Sequence, residues 1–239
     1  QTLKKTLSEI ANGNTDFSSP YTKKNSSEKW CYVLIAGDRG MAGGYNANLF
    51  RTLEEEIKGK EFALFPLGKK ALEYGRQKKY ELFNDSYTHV GEVGISDSYS
   101  IAQKICEAYK NQEFGHVALI YTDFVSMMSQ KAGAISLLPL SDFKEESEEE
   151  AKKIRNLILY EPSGEDVFNA IVPEYLAGLL YSGICTSVAS ELAARRTAME
   201  AATDNAGEMI DKLSLFYNRA RQASITQEIT EIVAGAEEL

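Results

Sequence analysis

Residues 187–239 read SVASELAARRTAMEAATDNAGEMIDKLSLFYNRARQASITQEITEIVAGAEEL, one uninterrupted helical pattern. No proline follows Pro173, and past Gly183 the only glycines are Gly207 and Gly235. A helix from about residue 174 to the end would be roughly 100 Å long at about 1.5 Å per residue. Helices of ordinary globular cores run to about three or four turns. Stepping alternately by four and three from Val188 meets Leu192, Arg195, Met199, Ala202, Ala206, Met209, Leu213, Phe216, Ala220, Ala223, Gln227, Thr230 and Ala234. Of these fourteen positions eleven are apolar, and five of the eleven are alanine. That spacing keeps one seam facing a neighbouring helix in a left-handed supercoil. Small seam residues let two helix axes approach to about 8 Å. Left bare, the strip would exceed the few hundred Å² of apolar surface that soluble monomers expose. The pattern therefore predicts half of a coiled coil; a helix lying over the chain's own core is the blander reading, and a compact domain is too short to cover it.

The partner helix is not evident within the chain. The opening QTLKKTLSEIANG, with Leu3, Leu7 and Ile10 at helical spacing and Asn12-Gly13 as a stop, reads as the last turns of a helix. The expectation is that the chain begins inside an N-terminal helix whose earlier part supplies the second strand of the coil.

Between these ends lies a strand–helix alternation. The run WCYVLIA at 30–36 is continuous and apolar, as in a strand covered on both faces. A helix to about residue 58 follows, then a strand at 62–67, a helix at 68–79 and a weaker strand near 81–90. A helix at 96–111 is expected with Ser96 or Asp97 as its cap, then a strand at 116–124. Two further strands are expected at 130–140 and 154–160, joined by a solvated acidic loop, KEESEEEAKK. Pro162 and Gly164 punctuate the entry to the C-terminal helices. The fold class is α/β: a Rossmann-like layered domain with a mostly parallel sheet and an antiparallel edge, plus a long C-terminal helix forming half of an antiparallel coiled coil. The expected division is 1–13, the end of an N-terminal helix; 14–161, the α/β domain; and 162–239, the coiled-coil helix.

The loop GDRGMAGGYN, from Gly37 to Asn46, follows a buried strand and precedes a helix, a place where backbone amides can hold phosphate. Its spacing matches neither G-x-G-x-x-G nor a P-loop, which ends in Gly-Lys-Ser/Thr. The second strand ends Phe65-Pro66-Leu67 without a ribose-binding acid. A tight turn needing positive φ and close strand–helix packing is the preferred reading. Asp38 and Arg39 would be a local ion pair or a partner contact.

Composition narrows the function further. The chain has 239 residues, a net charge of −9, three cysteines and two histidines. An acidic balance argues against a nucleic-acid binder, which carries a basic face. Cys31, Cys106 and Cys185 lie far apart in apolar runs and read as buried, reduced thiols rather than disulfides or a metal site. His116 opens a strand and reads as structural. No run of eighteen apolar residues occurs, so no membrane span is expected. No grouping of Ser, His and acid residues suggests a catalytic site, and no cofactor or metal is expected.

The stretch SELAARRTAMEAATDNAGEMIDKLSLFYNRARQASITQEITEIVAGA closely resembles the end of the gamma subunit of rotary F-type ATP synthases, and AGDRGMAGGYNANLF resembles that family's other strongly recurring segment. The order of elements between them agrees, so the resemblance covers the whole chain. It implies the central rotor shaft of a proton-translocating ATP synthase: a non-catalytic subunit whose two terminal helices turn inside a hexamer of alpha and beta subunits. Its α/β domain would sit beside the epsilon subunit on the ring of c subunits. The location implied is peripheral, on the cytoplasmic face of a bacterial plasma membrane or the equivalent organelle face. By motif, Arg195 in AARRTAM corresponds to an arginine meeting acidic loops of beta. Arg221, Gln222 and Thr226 in RARQASIT correspond to a polar patch that hydrogen-bonds a beta catch loop. Glu161 in LYEPS corresponds to a position near the ring loops.

Two other functions compete: a Rossmann-like enzyme binding a nucleotide at loop 37–46, and a coiled-coil tether joining an α/β head to an unrelated partner. The helix end supplies an independent hint. After Arg221 come Glu228, Glu231, Glu237 and Glu238 and no base. Acids at a helix C-terminus oppose the macrodipole by about 0.3–1 kcal/mol each near the last turn. The end should fray unless a surrounding collar holds it.

Overall fold

A computed structural model describes residues 2–13, 17–23, 25–140 and 160–237. Among them, four strands form one sheet in the order β2-β1-β3-β4: β1 (Trp30–Ile35), β2 (Phe62–Leu67), β3 (His116–Ser126) and β4 (Ser129–Leu138). The helices are α1 (Thr2–Gly13), α2 (Tyr45–Glu56), α3 (Lys69–Lys78), α4 (Ile95–Lys110) and α5 (Gly164–Glu237). β1 pairs in parallel with β2 and β3, with Trp30 opposite both Phe62 and His116. β3 and β4 form an antiparallel hairpin at the sheet's edge.

The continuous apolar run of β1 is explained by burial on both faces. Cys31, Val33 and Ile35 pack with residues of α4 and the start of α5, including Ile101, Ile105, Val172, Leu176 and Leu180. Tyr32, Leu34 and Ala36 pack on the other face with Tyr45, Leu49 and Leu53 of α2 and Ala71 of α3. Successive side chains of a strand point to opposite faces, so each layer of helices takes every second residue. Trp30 stacks on His116 at 4.4 Å, giving that histidine a place in the packing.

Four expectations are corrected. The stretch near 81–90 is not a strand; it pairs with β2 only through an isolated bridge between Leu64 and Leu82. Polar Asn84, Asp85 and Ser86 interrupt the run, while Phe83 and Tyr87 cover Phe65. Helix α4 is capped by Gly94, and Asp97 sits three residues in, its carboxylate accepting the Gly94 N–H at 3.0 Å. Cys185 is exposed, unlike buried Cys31 and Cys106, because it falls on the outer face of α5. The long helix begins at Gly164, so Pro173 lies inside it. An interior proline costs about 3 kcal/mol. Phe168, Val172, Leu176 and Leu180, all fully buried, outweigh that at about 1.5–3 kcal/mol each. The strand expected at 154–160 and the acidic loop before it lie outside the described residues, Tyr160 excepted.

The described N-terminal helix takes part in the core. Leu7, Ile10 and Ala11 are buried with Phe17 and Phe168. Ser18 N–H donates to Glu165 Oε1 at 2.9 Å, and Ser19 Oγ bonds Asn169 Oδ1 at 2.7 Å, tying the segment after α1 to the first turns of α5. One eighteen-residue window of α5 has a mean hydropathy of 1.3, and half of it is buried within the fold, as in the core helix of a layered domain.

Packing divides the chain into two compact units, residues 1–195 and 196–239. The first holds the sheet and its helical layers. The second, over 196–237, is helix alone.

Candidate functional site

Within the first unit, α5 changes character along its length. Phe168, Val172, Leu176, Leu180 and Ile184 lie four residues apart and form an apolar line on one face. The line is then continued by polar residues. Ser187 and Ser190 are fully buried, and Glu191 is 7% exposed. Each has a specific partner. Ser187 Oγ accepts the Thr122 N–H at 3.2 Å, and Ser190 Oγ donates to the Thr122 carbonyl at 3.4 Å. The Tyr45 hydroxyl donates to the Ser187 carbonyl at 3.1 Å. Burial pushes the Tyr45 phenol well above its ordinary range, so it serves as a neutral donor.

The glycine loop meets the same stretch of helix. A Cβ on Gly37 would stand 2.7 Å from the carboxyl carbon of Glu191, so a larger residue there would have to displace that carboxylate. Glu191 in turn pairs with Arg195, whose guanidinium also reaches the Gly40 carbonyl at 3.4 Å. Positive φ occurs at Met41 and Gly43, the turn conformation expected from the sequence. Asp38 is not paired with Arg39. Its Oδ1 accepts the backbone N–H groups of Lys69 and Val90, each at 3.1 Å. That carboxylate satisfies one amide at the N-terminus of α3 and another at Val90, and so ties the loop to both segments. Gly37 N–H is likewise taken, by Asn46 Oδ1 at 3.0 Å. The loop thus packs against α3 through Asp38 and against α5 through Gly37 and Gly40.

The residues expected to meet partners fall into different places. Arg195 belongs to the first unit and is held by Glu191 and Gly40. Arg221, Gln222 and Thr226 belong to the second unit and are exposed. Thr226 Oγ1 donates to the Gln222 carbonyl at 2.9 Å, so these two share a face, one turn apart. Glu161 is exposed just before α5. Glu191, Ser187, Ser190, Thr122 and Tyr45 were not singled out from the sequence. The available signal was small polar residues continuing an apolar line at spacings of three and four.

The seam positions of the second unit are uncovered, and so are the apolar residues on its other faces, such as Ile210, Leu215, Ile229 and Ile232. In the first unit Leu192 is 58% exposed, turned aside from the buried line. In the second unit Met199, Met209, Leu213 and Phe216 are all exposed. From residue 196 to 237 that helix is about 63 Å long. The second unit leaves more apolar side chains uncovered than the surface of a soluble monomer usually carries.

Comparison with known proteins gives the family. The chain belongs to the ATP synthase family, whose model matches residues 1–239. It is 44% identical over 227 residues to the ATP synthase gamma chain of Ruminococcus albus, covering 92% of this chain and 77% of that one. It is 40% identical over 228 residues to the gamma chain of Acetobacterium woodii, named as sodium ion specific, covering 89% and 75%. Among solved structures, the fold is similar to a chain of the central stalk and c-ring of the Tetrahymena thermophila mitochondrial ATP synthase, with a TM-score of 0.60, 23% identity and coverage of 84% and 94%. A chain of the Euglena gracilis enzyme gives a TM-score of 0.63 at 22% identity, covering 98% and 79%.

Proposed function

We infer that this chain is the central shaft of a rotary ATP synthase, carrying rotation of the membrane c-ring to the nucleotide sites of the beta subunits. The observation that carries the reading is the bare seam of the second unit, an apolar strip in a chain of this family that calls for a covering partner. Its partners are the alpha and beta subunits around the long helix, and the epsilon subunit and c-ring beside the α/β unit. Three working parts follow: 1–13 as the end of an N-terminal helix, 14–161 as the α/β domain and 162–239 as the rotor helix. The physics is differential contact. An asymmetric shaft presents a different face to each of three equivalent sites, and each site's conformational equilibrium shifts by the difference in contact energy.

The chain is part of a membrane-associated assembly, and we place it peripherally on the cytoplasmic face of a bacterial membrane or the equivalent organelle face. Arg221, Gln222 and Thr226 are the proposed contacts for a beta loop, supported by their exposure and the shared face of the last two. Arg195 is proposed to meet acidic groups of beta from its seat on Glu191. Glu161 is proposed as a contact on the ring side. The ion is set elsewhere: a relative named for sodium and relatives without that name match to a similar degree.

The competing nucleotide enzyme is disfavoured because amides of loop 37–46 already have acceptors within the chain: Gly37 N–H is taken by Asn46 Oδ1 and Tyr45 N–H by the Ala42 carbonyl. The test is reconstitution. The chain, assembled with the other subunits in vesicles, should support ATP-driven ion movement. Hydrolysis without ion movement by the wild-type assembly would sink the shaft reading.

A further inference from the structure

We propose that the polar set Ser187, Ser190, Glu191 and Arg195, the first three of them buried, is an anti-twist joint: it fixes the angular position of α5 against the sheet, with Glu191 as the positioning residue for Arg195. What the joint transmits rests on the shaft reading above.

The apolar line from Phe168 to Ile184 holds α5 against the sheet, but apolar contact is non-directional and tolerates small rolls of a helix about its axis. Hydrogen bonds do not. Ser187, Glu191 and Arg195 stand at i, i+4 and i+8, with Ser190 beside them, so they form one row along the helix. Their partners come from three separate elements. Thr122 lies in β3, Tyr45 opens α2, and Gly37 and Gly40 belong to the loop after β1. A roll of α5 in either direction would break bonds to at least one of these elements. Ser187, Ser190 and Thr122 are buried, so water cannot replace what is lost. Buried polar groups of this kind serve best to specify register.

The loop is shaped to the joint. Gly37 leaves the space that the Glu191 carboxylate fills, the nearest approach to a Cβ there being 2.7 Å. Glu191 then directs the Arg195 guanidinium toward the Gly40 carbonyl. The joint lies where the first compact unit ends, at residue 195. A subunit that passes rotation along this helix needs its angle fixed at that point.

The experiment uses the complete assembly in vesicles, measuring ATP hydrolysis and ATP-driven ion uptake with both a proton-sensitive dye and a labelled sodium tracer. The variants are Ser187→Ala with Ser190→Ala, and Glu191→Gln, which keeps the shape of the side chain. Ile184→Ala, on the apolar line of the same helix, is the control for lost stability. The joint predicts that hydrolysis persists while ions moved per ATP fall severalfold in both polar variants, and that the ratio is kept in Ile184→Ala. Glu191→Asp in combination with Gly37→Ala should recover part of the ratio lost in Gly37→Ala alone. An unchanged ratio in the polar variants, or an equal fall in Ile184→Ala, overturns the proposal while leaving the shaft reading intact. Failure of the wild-type chain to couple overturns both.

Discussion

Gly37→Ala tests the packing of the loop against α5 with a single methyl group. The new Cβ would lie 2.7 Å from both Cδ and Oε1 of Glu191 and 3.1 Å from Oε2. The backbone at Gly37 is not in the positive-φ region, so the whole cost comes from this side chain. Overpacking of a well-filled site costs about 1–3 kcal/mol. Glu191 is nearly buried and tied to Arg195, so it cannot swing clear without giving up that pair. Removing it should erase the penalty: Gly37→Ala made in a Glu191→Ala background should be close to neutral. The double-mutant cycle should then show a coupling of about 1–3 kcal/mol, as for residues in direct contact. Thermal unfolding of the purified chain reads this out, at about 2–4 °C per kcal/mol for a unit of this size. A Gly37→Ala change that costs the same with and without Glu191, or costs nothing, would refute the argument.

Other expectations follow from the same contacts. Gly68→Ala should cost more than about 2 kcal/mol with no side-chain rescue, because φ is +97° and the obstacle, at 2.2 Å, is the Ala36 carbonyl oxygen of the backbone; urea unfolding of the variant checks it. Asp38→Ala should cost about 1–3 kcal/mol by the same measurement, since two amides, of Lys69 and Val90, lose their acceptor. Cys185 should react with a thiol reagent in the folded chain while Cys31 and Cys106 wait for unfolding. Burial raises the Cys31 thiol from 9.0 to about 12 and Cys106 from 9.0 to about 11, so their contribution is complete below pH 9. It is lost as pH rises through the folded values, and stability measured between pH 9 and 11 should fall. Arg221→Ala with Gln222→Ala should leave the free chain's stability within about 0.5 kcal/mol, as exposed positions do, yet weaken hydrolysis or assembly in the complex; unaltered coupling there would remove their proposed role.

The elements that were legible in advance are those with strong local signals. β1 and β2 are apolar runs bounded by glycine, and both were read to within a residue, because strands covered on both faces need apolar side chains at every position. The 3.5-residue seam of α5 was legible because nothing but a neighbouring helix rewards that spacing over so many turns. The candidate contacts at Arg221, Gln222 and Thr226 came from a motif, and no local rule of packing distinguishes them from other exposed polar residues.

Sequence by itself determined the order of β1 to β4 with the helices between them, and the unbroken run of the terminal helix, since periodicity and glycine placement act within a few turns of chain. Only the tertiary structure decided where α5 begins, because a proline that should end a helix is overruled by the burial of Phe168, Val172, Leu176 and Leu180. It also decided the role of Glu191 and of loop 37–46. The carboxylate and the space left by Gly37 are more than 150 residues apart in the chain, and their fit exists only once the sheet brings β1 and β3 beneath the same turn of helix.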